Sequence, residues 1–436
     1  MGQEFTQESE HRAFVAEQGI MPLGFRAGST RFEFMPAEAA KPAKMNLTVI
    51  AADVPTPDFA AVFTRNAMAG APVLIGRERL NEHALGAIVI NNKISNVGVA
   101  TGVADAESIC AAAARALGIA PGAVMPASTG VIGWALPRQA MLDALPEAVG
   151  ALAAASLAPA AHAIMTTDLY PKARTAVVGK GRITAIAKGA GMIEPNMATM
   201  LGFVLTDLAV PRAALREILS RVVERSFNTI SIDSDTSTSD MVVAMSSGRV
   251  PCDDLHSFEA ALLKVCEDLA QDVVRNGEGV HHVLRVTVTG VQEQAWAKAI
   301  GKSIVNSPLI KTAICGNDPN VGRLLAAVGK IIGGGGWALD LKQARVSMGG
   351  HVLFENGAFM LNRALEAKLR SYLEATELYR SAATTDGLFH PPVAYPPHER
   401  CVDIEVAWPS GRGDDVVVIG ADLSHEYITE NADYRS

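Results

Sequence analysis

Apolar and polar residues alternate along this chain with two periods. Runs that are apolar throughout or apolar at every second position predict strands over 46–55 (NLTVIAADVP), 86–92 (GAIVINN), 281–291, 401–408 and 414–420. TAVVGKGRITAIAKG (175–189) predicts a hairpin turning at Gly179-Lys180-Gly181. Helical spacing predicts helices over 104–119, with Asp105 as N-cap, and over 211–226, 257–275 and 361–380. The Ala-rich segment 137–163 predicts further helix, and DPNVGRLLAAVGK (318–330) opens another. Between these lie the loop MPASTGVIG (125–133) and a Pro-rich loop, LFHPPVAYPPHE (388–399). Residues 1–45 predict a polar lead-in. Strands and helices interleave, so the class is α/β or α+β, and no internal repeat is present.

Composition narrows the function. The 436 residues suffice for two or three domains and carry a net charge of −8, which argues against nucleic acid or an anionic membrane as partner. No apolar run reaches the length of a bilayer span. The start MGQEFT is polar rather than a secretory signal, and it fits the loose myristoylation pattern without a following polybasic segment. Cys110, Cys252, Cys266, Cys315 and Cys401 form no ligand-spaced cluster, so reduced thiols in a cytoplasmic protein are expected.

Several chemical motifs fail. GKS (301–303) lacks the glycine of a phosphate loop, because Trp296 stands at that position. GGGG (333–336) has no dinucleotide-site spacing and predicts a flexible turn. His281-His282 has no third metal ligand nearby, and a solvated strand start is expected. SIDSDTSTSD (231–240) predicts an ordered loop rather than a linker, because it lies between a strong helix and the apolar MVVAMSS.

KGAGMIEPNMATML (188–201) raises a sharper question. Thr199 follows a small residue, Ala198, in a segment of glycines and proline. A threonine hydroxyl needs a base. A cut before Thr199 would supply one as the new α-amine, whose reference pKa of about 7.7–8.0 lets it take and return a proton. A packed threonine is the ordinary alternative, and these residues alone leave it open.

The same segment closely resembles the self-cleavage segment of the ornithine acetyltransferase family, bifunctional glutamate/ornithine N-acetyltransferases. STGVIG (128–133), MTTDLYPK (165–172), FNTISIDSDTSTSD (227–240), NGEG (276–279), VNSPLIKTAICGNDPNVGRLLAAVG (305–329) and NADYRS (431–436) correspond as well, in order, from about 46 to 436. The resemblance implies a two-domain αββα sandwich of the kind shared with self-cleaving aminopeptidases. It implies cleavage between Ala198 and Thr199 into chains 1–198 and 199–436, which associate as an oligomer of such pairs, with Thr199 as nucleophile. Thr129 and Gly130 would form the oxyanion hole. Thr166, Lys188, Thr199, Glu278, Asn431 and Ser436 would bind the amino-acid substrate, with no metal or coenzyme. The implied reaction moves an acetyl group from N-acetylornithine to glutamate.

Some segments depart from the family's usual pattern: NNKISNVGVATG (91–102), Trp134, Leu169, Val280-His281-His282 and the Pro-rich loop 388–399. These lie in or beside motifs expected to line the pocket, which keeps open a paralogue or an amidohydrolase acting on another N-acyl amino acid.

Overall fold

The computed structural model describes residues 2–194, 200–380, 393–409 and 413–432. Ala198, Thr199 and Ser436 lie outside them, as do residues 388–392 of the Pro-rich loop 388–399. The chain divides into two compact units, one of residues 12–228 and 236–273, the other of residues 1–11, 229–235 and 274–436. Neither unit ends at 198/199.

In the first unit two sheets face each other. The four-stranded sheet runs in the order Phe25–Phe34, Ala43–Thr56, Leu85–Asn91, Val124–Ser128. The five-stranded sheet runs Phe59–Phe63, Met241–Val250, Leu201–Leu208, Gly181–Lys188, Lys172–Val178. Side-chain alternation shows why the strand 43–56 is apolar almost throughout. Leu47, Val49 and Ala51 pack with Cys110 and Ala113 of the helix Gly102–Leu117 and with Met141 and Leu145 of Arg138–Gly150. Ile50 and Ala52 point the other way, into a core shared with Ile186, Phe203 and Met241 of the second sheet. A strand covered on both faces keeps apolar residues on both. The helix Arg212–Arg225 packs against strands Phe59–Phe63 and Met241–Val250 and joins Leu255–Arg275 through Arg221 and Glu259, 2.7 Å apart. Arg174 ties the strand 172–178 to that second helix by two bonds to Asp272, of 2.7 and 2.8 Å. The layers are helix, sheet, sheet, helix, the αββα sandwich that the resemblance implied.

The second unit holds a seven-stranded sheet, in the order Ala358–Phe359, His351–Glu355, Arg345–Met348, Val402–Ala407, Val283–Thr289, Val416–Ala421, Ile230–Ser231. Helices Gln294–Val305, Pro308–Cys315, Val321–Gly335 and Arg363–Thr376 share its core through Ile300, Ile314, Val328 and Leu369.

The structure corrects several local expectations. The lead-in 1–45 holds a helix, Glu8–Gln18, and the strand Phe25–Phe34, which pairs along its whole length with 43–52. Asp105 lies in the first turn of its helix, and Thr101 is the N-cap. The Ala-rich segment is two helices, Arg138–Gly150 and Ala158–Ala163. GGGG is no turn: the helix beginning at Val321 continues through Gly335, and Gly336 ends it at φ +62°. A buried stripe of Leu324, Leu325, Val328 and Ile332 carries the helix into this run despite glycine's cost of about 1 kcal/mol per residue. Among the described residues no helix is long and apolar enough to cross a membrane.

Candidate active site

The loop expected to hold an oxyanion begins where the strand Val124–Ser128 ends beside Leu85–Asn91. Ser128 donates to the Asn91 side-chain oxygen at 2.6 Å, and the Asn91 amide donates to the Ile94 carbonyl at 2.8 Å. The segments 91–97 and 128–133 are then laced together. Thr129 N–H donates to Asn91 O at 3.1 Å, Val131 N–H to Lys93 O at 2.9 Å, Ser95 N–H to Val131 O at 3.0 Å and Gly133 N–H to Val97 O at 3.0 Å. Gly130 sits at φ +123°, and a Cβ there would lie 2.1 Å from the Lys93 carbonyl carbon. No other residue fits without moving that backbone. The segment 91–97 therefore fixes the shape of the loop 128–133 directly.

Lys188, at the end of the strand Gly181–Lys188, donates from Nζ to Thr129 Oγ1 at 2.9 Å. Both side chains are buried. An ammonium can only donate, so the Thr129 oxygen is the acceptor and its own hydrogen remains available for another oxygen.

Thr166 joins this group through Asp168, a residue to which the sequence reading gave no role. Asp168 accepts from the Thr166 N–H at 2.9 Å and from the Gly189 N–H at 2.8 Å, and it pairs with the Lys172 ammonium. Both members of that ion pair are fully buried. Burial by itself would raise the Asp168 carboxyl. The ammonium groups of Lys172 and Lys188 and the bonds from Lys172 and Thr166 outweigh it and hold the carboxyl well below the usual carboxylate range. Asp168 thus ties the 166 segment to the residue after Lys188. The Asp-x-x-x-Lys spacing inside MTTDLYPK was the available signal for it.

In the second unit, NGEG is clamped to the helix His425–Ala432. Gly279, at φ +63°, brings its backbone so close that a Cβ would lie 2.5 Å from Tyr427 N. Ser424 Oγ donates to Gly279 O at 2.7 Å. Asn431 then donates to the buried Glu278 Oε2 at 2.9 Å, which joins two of the expected substrate-binding residues. Burial, and secondarily the charge of Glu278, push the neighbouring Glu430 carboxyl up to about 7.

The histidine expectation is corrected. His281 and His282 are buried, and Asp422 accepts both backbone N–H groups at 3.0 Å. The His282 ring meets Asp422 Oδ2 at 2.9 Å through Nδ1 and Leu373 O at 3.2 Å through Nε2. Both partners are acceptors, so the site favours the imidazolium form, which donates from both ring nitrogens. Trp134 packs with the core between the first sheet and its helices. All five cysteines are free, and among the described residues no group of three His, Cys, Asp or Glu side chains could hold a metal.

The ArgJ family profile matches residues 33–436. The chain belongs to the ArgJ family. It is 38% identical over 390 residues to the arginine biosynthesis bifunctional protein ArgJ of Methylococcus capsulatus, covering 86% of this chain and 88% of that one. It is 36% identical over 409 residues to the glutamate N-acetyltransferase of Methanosarcina mazei, covering 92% and 96%. The solved ArgJ structure from Bacillus halodurans is 30% identical, with a TM-score of 0.44 over 53% of this chain and 98% of that one. Family membership bears out the resemblance drawn from the seven motifs. In this ArgJ family chain the structure joins Thr129, Lys188 and the Thr166 segment in one unit, and Glu278 and Asn431 in the other.

Proposed function

We propose that the chain is an N-terminal-threonine acyltransferase that cleaves itself between Ala198 and Thr199 and then carries an acetyl group from N-acetylornithine to glutamate. The Lys188–Thr129 hydrogen bond carries this reading. It leaves the Thr129 hydroxyl hydrogen to donate beside the fixed Gly130 backbone, as a tetrahedral oxyanion requires.

Cleavage starts when Thr199 Oγ attacks the Ala198 carbonyl carbon. The hydroxyl proton passes to the amide nitrogen, the C–N bond breaks, and an ester and a free α-amine result. Water hydrolyses the ester, leaving the Ala198 carboxylate and the Thr199 hydroxyl. In turnover the α-amine takes the Oγ proton while Oγ attacks the acetyl carbonyl of N-acetylornithine. Thr129 and Gly130 hold the oxyanion. The proton passes to the leaving amine, and ornithine departs from an acetyl-threonine ester. The glutamate amine attacks that ester, and Thr199 regains its proton as N-acetylglutamate leaves. Thr166, Lys188, Glu278, Asn431 and Ser436 bind the amino acid: Lys188 suits its α-carboxylate and Glu278 an ammonium. The mature enzyme is an oligomer of paired chains 1–198 and 199–436, working in the cytoplasm.

Incubation with N-acetylornithine, with and without glutamate, tests the reaction. Release of ornithine only with glutamate supports a transferase. Release without glutamate identifies a hydrolase, and no release in either case removes N-acetylornithine as donor. Thr199→Ala should run as one inactive chain of 45.8 kDa. Wild type should give two bands, one beginning Thr-Met-Leu. A wild type that is fully active yet uncut sinks the mechanism, because uncut Thr199 has no α-amine.

A further inference from the structure

Asp240 is a buried carboxyl that the proposed reaction leaves without a task. It ends the loop 231–240, immediately before the strand Met241–Val250. The next residue, Met241, donates its N–H to Met200 O at 3.1 Å, so Asp240 lies beside the chain as it enters the strand Leu201–Leu208. Its main-chain oxygen accepts from Thr64 N–H at 3.0 Å. Among the described residues no hydrogen-bond partner meets its Oδ2. An ionised carboxylate in such a place would keep a buried oxygen with no donor to replace water, a cost that favours the protonated group.

The charges around it sharpen the point. Lys188 is the charged group that acts on Asp240, and the Ser237 hydroxyl is its side-chain hydrogen-bond partner. The neighbouring strand ends contribute the Thr64 N–H and the Met200 carbonyl, neither of them ionisable. Lys188 shares its surroundings with Asp168 and Lys172, and Asp272 acts on Lys172 from farther off, itself paired with Arg174. Among Lys172, Lys188, Asp168 and Asp240, a neutral Asp240 leaves two positive charges against one negative, whereas an ionised Asp240 would balance them.

We propose that Asp240 is a positioning residue that acts through Lys188, reserving that ammonium for the α-carboxylate of the amino-acid substrate. This rests on the acyltransferase reading above and names the group that sets its preference for a free carboxylate. The direction of the electrostatics agrees: burial raises the Asp240 carboxyl well above its ordinary value, against the smaller opposing pull of Ser237 and Lys188. When alkali removes the Asp240 proton, the site loses its net charge and the substrate carboxylate loses its counterion.

Two measurements test this on the full, self-processed protein. The first compares KM for N-acetylornithine, at saturating glutamate, at neutral and alkaline pH in wild type and Asp240→Asn. The amide is a permanently neutral isostere. Wild type should show at least a tenfold rise in KM with pH, Asp240→Asn less than a threefold rise, and the carboxamide of N-acetylornithine no such difference between the two proteins. The same rise in both proteins overturns the proposal. The second is infrared difference spectroscopy of wild type minus Asp240→Asn near pH 7, which needs no turnover. A protonated-carboxyl band supports the proposal, and an ionised carboxylate in its place overturns it whatever the substrate proves to be. A wild type that spares N-acetylornithine but shows the band refutes the acyltransferase substrate and leaves the neutral carboxyl standing.

Discussion

At the scale of single residues, the site depends on bonds that no motif displays. Thr129 and Lys188 are each readable in the sequence, but the 2.9 Å bond between them exists only once the loop 128–133 folds beside the end of the strand 181–188. That bond makes a prediction. Thr129→Ala would remove the proposed oxyanion donor, so kcat should fall by about 10²–10³, or roughly 3–4 kcal/mol of barrier. Thr129→Ser keeps the hydroxyl and should stay within about tenfold, losing only the methyl group that stiffens χ1. Steady-state kinetics on fully processed protein decide the matter, and a kcat for Thr129→Ala within threefold of wild type removes Thr129 from the oxyanion hole. Asp168 shows why some of the site was illegible. Its segment was read as a substrate contact, yet its role comes from the N–H groups of Thr166 and Gly189 and the buried Lys172. A carboxyl has no fixed meaning until its donors are known.

At the scale of elements, legibility followed burial. The strand 43–56 and its neighbour Leu85–Asn91 were plain because both faces are covered and both are apolar. FRAGSTRFEF (25–34) was missed because its Arg26, Arg31 and Glu33 give a half-polar run at the sheet edge. The glycine run was misread because a helix is decided by its buried stripe as well as by propensity. The joint between the strands Val283–Thr289 and Val416–Ala421 carries a further prediction. Burial tends to lower the His282 ring, but the bond and charge of Asp422, then Glu377 and the Leu373 carbonyl, outweigh it and raise the ring above its ordinary value. The folded protein therefore holds this proton to higher pH than the unfolded chain does. Its stabilisation is complete below the unfolded pKa of about 6.5 and is lost as pH rises through the folded value, with a slope of at most about 1.4 kcal/mol per pH unit. Melting curves of wild type and His282→Gln should converge as pH rises from about 6. A gap between them that stays constant with pH would show that His282 acts by packing alone.

At the scale of the whole molecule, the five-stranded sheet places the two strands that follow the proposed cut between strands that precede it. Leu201–Leu208 and Met241–Val250 follow residue 199, and they lie between Phe59–Phe63 on one side and Gly181–Lys188 with Lys172–Val178 on the other, all of which precede it. Before cleavage, folding is a first-order event. After the proposed cut, unfolding would also be dissociation, and renaturation would become a second-order encounter. A covalent tether supplies an effective concentration on the order of millimolar. At micromolar protein its loss weakens re-formation by about a thousandfold, or about 4 kcal/mol. Urea-denatured Thr199→Ala should therefore recover to the same yield at any dilution, whereas processed wild type should recover less as it is diluted. Equal recovery at all dilutions would mean that one piece folds without the other's strands. The proposed cut would thus fix an order of events: the sheet would form while the chain is whole, and the cut enzyme would then persist only as long as its pieces stay together, holding a structure it could not readily build again.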